Sequence, residues 1–133
     1  MDEVLAALAT SSSSSAALAV VCVQDMRRRD ALLRMLIHDV DVELRHAAEN
    51  SLTEALTLCA QKHRPAVATV VAGLAWQRGD GAGAQECLQL ALDVDPSYSL
   101  ARLLARAIRS AVPPTVWVDA VAATSVESCL AGV

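Results

Sequence analysis

The sequence predicts an all-α protein, a compact bundle of six or seven helices. Three observations carry that expectation. The chain is 54% hydrophobic, yet Trp76, Tyr98 and Trp117 are its only aromatic residues and Phe is absent. The apolar mass is Ala, Leu and Val, and alanine has the best helix propensity and lets helices approach closely. Apolar residues also recur at helical spacing between Gly and Pro stops. The one stretch with a period of two is Val40, Val42 and Leu44 alternating with Asp39, Asp41 and Glu43. It is short, and no second strand is present to pair with it.

A chain of 133 residues is one domain's worth, and the elements are expected in four parts. Residues 1–24 form an apolar helical segment. Asp2 caps a short helix over 2–9, and the serine run 11–15 interrupts it as a linker or as the capped start of the next helix. Residues 16–24 are apolar on nearly every side, which predicts burial. Residues 25–64 hold the middle helices. In "MRRRDALLRMLI", Leu32, Leu33, Leu36 and Ile37 mark one apolar face, with Arg27, Arg28 and Arg34 elsewhere. A loop over 38–41 leads into a helix to residue 50. Ser51-x-x-Glu54 reads as a capping box that opens a separate helix carrying Leu52, Ala55, Leu56 and Cys59.

Residues 65–111 hold a helical hairpin and the helix after it. Pro65 suits a first helical position, and 66–78 carries Val67, Val70, Val71, Leu74 and Ala75 on its apolar side. Gly79-Asp80-Gly81 stops that helix, since glycine supplies the left-handed conformation of a C-cap. A helix over 82–94 follows. Asp95-Pro96 turns the chain, because a residue before proline avoids the helical region. Helix 97–111 has Leu100, Leu103, Leu104 and Ile108 as its core side. Pro113-Pro114 breaks it, and 112–133 contributes a short helix over 115–123 and a tail.

The hairpin 66–96 resembles a tetratricopeptide repeat. Ala72 stands where the two helices cross, Ala84, Leu88 and Ala91 take the small and large apolar positions of the second helix, and Pro96 closes the unit. Ala68 and Ala75 stand where that pattern has a large aromatic and a tyrosine, and Arg106 replaces a small residue in the following helix. The resemblance implies one repeat-like unit, with a ligand surface on its first helix at Thr69, Gly73, Trp76 and Gln77.

A broader resemblance rests on "RRRDALL" at 27–33, "AWQRGDGAGA" at 75–84, "DPSYSLARLL" at 95–104 and "AVPPTVW" at 111–117. In order and approximate spacing these are similar to an actinobacterial family, domain of unknown function 4192. The likeness is to the family's C-terminal helical half, with its N-terminal α/β portion preceding residue 1. It implies a helical fold and carries over no catalytic residue.

Composition narrows the function classes. The net charge is −4, from 11 basic and 15 acidic residues, which argues against a nucleic-acid partner. The start is acidic where a signal peptide is basic. The apolar run 16–23 falls short of the ~20 residues that span a bilayer. No membrane association and a cytoplasmic location are expected. Cys22, Cys59, Cys87 and Cys129 show no C-x-x-C spacing and read as reduced, buried thiols.

Candidate sites are few. His38, Asp39, Asp41, Glu43 and His46 are metal-ligand types, but H-E-x-x-H is absent, and a solvated loop and helix start is the reading preferred; no metal and no cofactor are expected. "GDGAG" lacks the Lys-Ser/Thr of a phosphate loop. Arg27, Arg28 and Arg29 suit pairing with Asp25, Asp30 and the acidic 39–43 segment, or solvent. Trp76 and Tyr98 suit either the core or an aromatic binding patch. Arg102, Arg106 and Arg109 form a stripe at i, i+4 and i+7, a solvated face or a contact for an acidic partner. The candidate partner-binding residues are therefore Thr69, Trp76, Gln77, Arg102, Arg106 and Arg109. The function expected is a non-catalytic scaffold or protein-interaction domain that self-associates as a homodimer. The alternative is an accessory half of an enzyme whose active site lies in an N-terminal α/β portion.

Overall fold

The structure is a computed structural model that describes residues 2–9 and 13–123. Among these residues it is all-helical, with eight α-helices and one 3-10 turn. The helices are α1 (Asp2–Ala9), α2 (Ser13–Gln24), α3 (Met26–His38), α4 (Val42–Leu58), α5 (Arg64–Gln77), α6 (Gly81–Val94), α7 (Ser99–Arg109) and α8 (Pro114–Ala122). The 3-10 turn, Gln61–His63, joins α4 to α5. Ser11 and Ser12 of the serine run, Cys129 and the tail 124–133 lie outside the described residues.

The caps follow the sequence. The Asp25 carboxylate accepts from the amides of Arg27 and Arg28 at 2.8 and 3.3 Å and starts α3. Asp41 accepts from Leu44 N at 2.8 Å and starts α4. Asp80 accepts from Gly83 N at 2.9 Å and starts α6. Two of the glycines in "GDGAG" have distinct tasks. Gly79 ends α5 with φ 92°, and the Asp80 N to Ala75 O bond of 2.9 Å completes a Schellman-type cap. Any Cβ at Gly83 collides with the capping Asp80 carboxylate.

One correction concerns the middle helices. The capping box at Ser51 does not open a helix; α4 runs unbroken through it, and one helix replaces the two expected. Ser51 is buried, and its hydroxyl donates to Leu8 O at 2.8 Å, tying α4 to α1. The local cap has been exchanged for an interhelical bond. Eight helices stand among the described residues where six or seven were expected; 2–9 and 13–24, left open as one interrupted helix or two, are separate elements.

Helix α5 is the axis of the fold. Every residue from Pro65 to Trp76 is buried, and α2, α3, α4, α6, α7 and α8 all pack on it. A continuous apolar core runs from Val4 in α1 to Ala105 in α7. Small residues make this packing possible: Ala72 in α5 and Ala84 and Ala91 in α6 are fully buried, and Leu88 of α6 is buried with them. Burying a leucine contributes roughly 1.5–3 kcal/mol, and seven leucines are enclosed almost completely.

Candidate functional site

The proposed ligand surface on the first hairpin helix is not on the outside. Thr69 is fully buried and its hydroxyl donates to Pro65 O at 2.6 Å. Trp76 is 5% exposed and stacks on Trp117, with ring centroids 6.1 Å apart at 21°. Gly73 faces the same Trp117 ring, and Gln77 is half-buried. In an array of repeats the first helix of each unit lines an open groove. Here α8 and α3 cover that side of α5, so Thr69, Trp76 and Gln77 do not form an exposed binding patch.

Tyr98 is also committed to the fold. Arg29, 6% exposed, donates from Nη1 to Tyr98 Oη at 2.8 Å and pairs with Asp30 at 2.8 Å. This buried guanidinium fixes the start of α7 against the start of α3. Burial disfavours its charge, and the bonds to Tyr98 and Asp30 outweigh that, so its pKa stays above the ordinary arginine range. Arg27 and Arg28 are exposed, and Arg34 pairs with Asp39 at 3.1 Å.

The His/Asp/Glu stretch is dispersed by the fold. His38 Nε2 bonds Val118 O at 2.9 Å, Asp39 holds Arg34, and Asp41 caps α4. Among the described residues no three His, Cys, Asp or Glu side chains converge as metal ligands.

The arginine stripe is exposed. Arg102, Arg106 and Arg109 all reach solvent, and Leu103, read from sequence as a core residue, is 59% exposed beside them. The buried side of α7 is Ala101, Leu104 and Ala105, with Leu100 and Ile108 at its margins. Leu103 lies two residues from Ala101, which at 3.6 residues per turn puts it on the opposite face. Ser99, Arg102, Leu103 and Arg106 line an open hollow of about 260 Å³.

A second surface was missed by the sequence reading. Residues 16–24 were expected to be buried, but of these only Ala19, Val20, Cys22 and Val23 are. Its other side leaves Ala17, Leu18 and Val21 exposed, Val21 at 65%. Beside it the end of α4 presents Leu58 at 71%. Between them lies a cleft of about 380 Å³ lined by Val20, Val21, Ala55, Leu58, Cys59 and their neighbours, with His63 at one edge. Gln24 Nε2 donates to Val20 O and His63 O at 2.9 and 3.3 Å and ties α2 to the 3-10 turn. A helix apolar all round, with no charge, reads as interior on every side, so the sequence held no signal for which side stays open.

A family model described as Domain of unknown function (DUF4192) matches residues 1–115. The chain belongs to this family. No curated protein and no solved structure matches it. The DUF4192 match spans α1 to α7 and the first residues of α8, so the α2–α4 cleft and the α7 stripe both lie within it. Among the described residues of this DUF4192 chain, no helix is long and apolar enough to cross a membrane.

Proposed function

We propose that this DUF4192 chain is a helical interaction module that pairs with a second copy of itself through the outer face of α2 and the cleft beside it. The observation that carries the reading is the apolar helix α2 covered on one side only, next to the exposed Leu58. Contiguous exposed apolar surface marks a binding site. A second copy fits because α2, "SSSAALAVVCVQ", has no charged residue. In a two-fold interface each residue near the axis meets its own copy, and a charge there would meet its like. Covering Leu18, Val21 and Leu58 on both copies contributes on the order of 6–10 kcal/mol before the cost of association, about 4–15 kcal/mol. At the favourable end of both ranges about 6 kcal/mol remains, which corresponds to a weak dimer with a dissociation constant of tens of micromolar.

In this reading the chain performs no catalysis of its own. Support comes from the thiols of Cys22 and Cys87, whose pKa burial raises, and from His38, Asp39 and Asp41 being held in bonds of the fold. The unpaired thiols of Cys59 and Cys87 support a reducing, cytoplasmic setting. The tetratricopeptide-like hairpin serves architecture; the inward Ala72, Ala84, Leu88 and Ala91 support it.

The test is solution mass by sedimentation from about 1 to 100 μM, a span suited to a micromolar dissociation constant. Wild type is expected to shift from monomer to dimer across that range. Val21→Asp with Leu58→Asp is expected to stay monomeric while keeping its helical circular dichroism. A wild type that remains monomeric throughout overturns the reading, as does a double variant that dimerises normally.

A further inference from the structure

The α7 stripe is a separate surface with different chemistry, and we infer that it docks an acidic, amphipathic helical segment of a partner protein. Helix α7, "SLARLLARAIR", has three arginines and no acidic residue. Arg102, Arg106 and Arg109 are exposed and hold no ion pair among the described residues. Elsewhere Arg29, Arg34 and Arg78 each hold a carboxylate and Arg45 holds backbone carbonyls, while Arg27 and Arg28 are exposed as the stripe is, without its helical spacing around an exposed leucine. A chain with 15 acidic residues has the means to neutralise the stripe and leaves it open. In the turn before α7, Asp95 Oδ1 accepts from the amide and hydroxyl of Ser97 at 3.0 and 2.7 Å and pairs with none of the three arginines.

Shape and spacing narrow the partner. Arg102, Leu103, Arg106 and Ser99 surround the hollow of about 260 Å³, so an apolar side chain can seat on Leu103 between two guanidinium groups. Positions i, i+4 and i+7 of a helix rise by about 6 and 10.5 Å. A partner helix with carboxylates at the same intervals meets all three arginines, and a leucine between them meets Leu103. Guanidinium and carboxylate match as planar, paired hydrogen-bond groups. The start of α7 is held rigid by the Arg29–Tyr98 bond, which limits the ordering needed on binding. A nucleic acid fits less well, since the chain as a whole is net negative at −4.

The experiment is fluorescence anisotropy with a labelled synthetic helical peptide carrying glutamates at i, i+4 and i+7 and leucines between them. Comparison probes are the same peptide with Gln for Glu, and a single-stranded RNA. Wild type is expected to bind the Glu peptide, and more weakly as salt rises from about 50 to about 500 mM. Arg102→Ala with Arg106→Ala and Arg109→Ala is expected to weaken binding by roughly 10-fold or more. Leu103→Ser is expected to weaken it by about 3-fold, which a purely electrostatic contact would not show. The α2–α4 variant Val21→Asp with Leu58→Asp is expected to bind the peptide as wild type does, so the two surfaces are tested apart. Equal affinity for the Gln peptide, preference for the RNA, or an unaffected triple variant each overturns the proposal.

Discussion

Removing Arg78 tests the electrostatic link that holds α4 to the α5–α6 turn. Arg78 caps the end of α5 and reaches Glu49 in the middle of α4 through bonds of 3.0, 3.1 and 2.8 Å. The partners are unequal: Glu49 is 8% exposed, while the Arg78 side chain is 44% exposed. Arg78→Ala therefore strands a buried carboxylate, whereas Glu49→Gln leaves a guanidinium that water can reach. A fully buried orphan charge costs about 3–5 kcal/mol. The half-exposed Arg78 marks a route for water, which reduces the expected cost to about 2 kcal/mol. Glu49→Gln keeps the shape and an acceptor, and is expected to cost about 0.5–1 kcal/mol. For 133 residues the unfolding entropy makes 2 kcal/mol a fall of about 7 °C in Tm. Urea unfolding followed by circular dichroism, with thermal melts at one fixed protein concentration, reads both variants. If Arg78→Ala costs no more than Glu49→Gln, the asymmetry of burial is not what sets the energy of this pair, and the reasoning is wrong.

Two further outcomes follow from the interior. A Cβ at Gly73 would stand 3.3 Å from Trp117 and 3.4 Å from Leu33, so Gly73→Val, with two more methyl groups, is expected to destabilise by roughly 2–3 kcal/mol and to shift tryptophan fluorescence as the Trp76–Trp117 stack is displaced. Unchanged emission and stability would show that α8 does not press on α5. Burial raises the thiol pKa of Cys22 and Cys87, so the folded chain keeps protons that the unfolded chain loses above about pH 8.5. Stability is accordingly expected to fall as pH rises through that value, and a Cys22→Ala, Cys87→Ala variant is expected to show a flatter alkaline profile in urea.

Much of the fold was legible because its signals are local. The helix stops at Gly79 and at Asp95-Pro96 fall where they were expected, and Gly79 takes the left-handed turn; the caps by Asp25, Asp41 and Asp80 were not read from the sequence, although they too are local. Ser51 misled because its motif was local and its use is not: the partner is Leu8 O, 43 residues away. Helix α5 was read as amphipathic because Val67, Val70, Val71 and Leu74 mark one side. Yet Ala66, Ala68, Ala72 and Gly73 are small enough for other helices to close over the rest. Thr69 and Trp76 disappeared under that cover. Leu103 was assigned inward because it is apolar; the inward places on α7 went to two alanines and Leu104, where close approach mattered more than bulk. The exposed side of α2 escaped for the converse reason. An apolar helix reads as interior, and nothing in one chain's sequence tells a core from an interface.

The enclosure of α5 also bears on how this fold can change over time. Six helices touch it, and none of its middle residues meets water. A substitution there must be accommodated by several neighbours at once, so the helix is closed to gradual invention. The rims of α2 and α7 answer instead to what docks on them. Their outward side chains can change in step with a partner while the interior stands still. Relatives are therefore expected to keep the central helix and to differ on the two rims only as their partners differ.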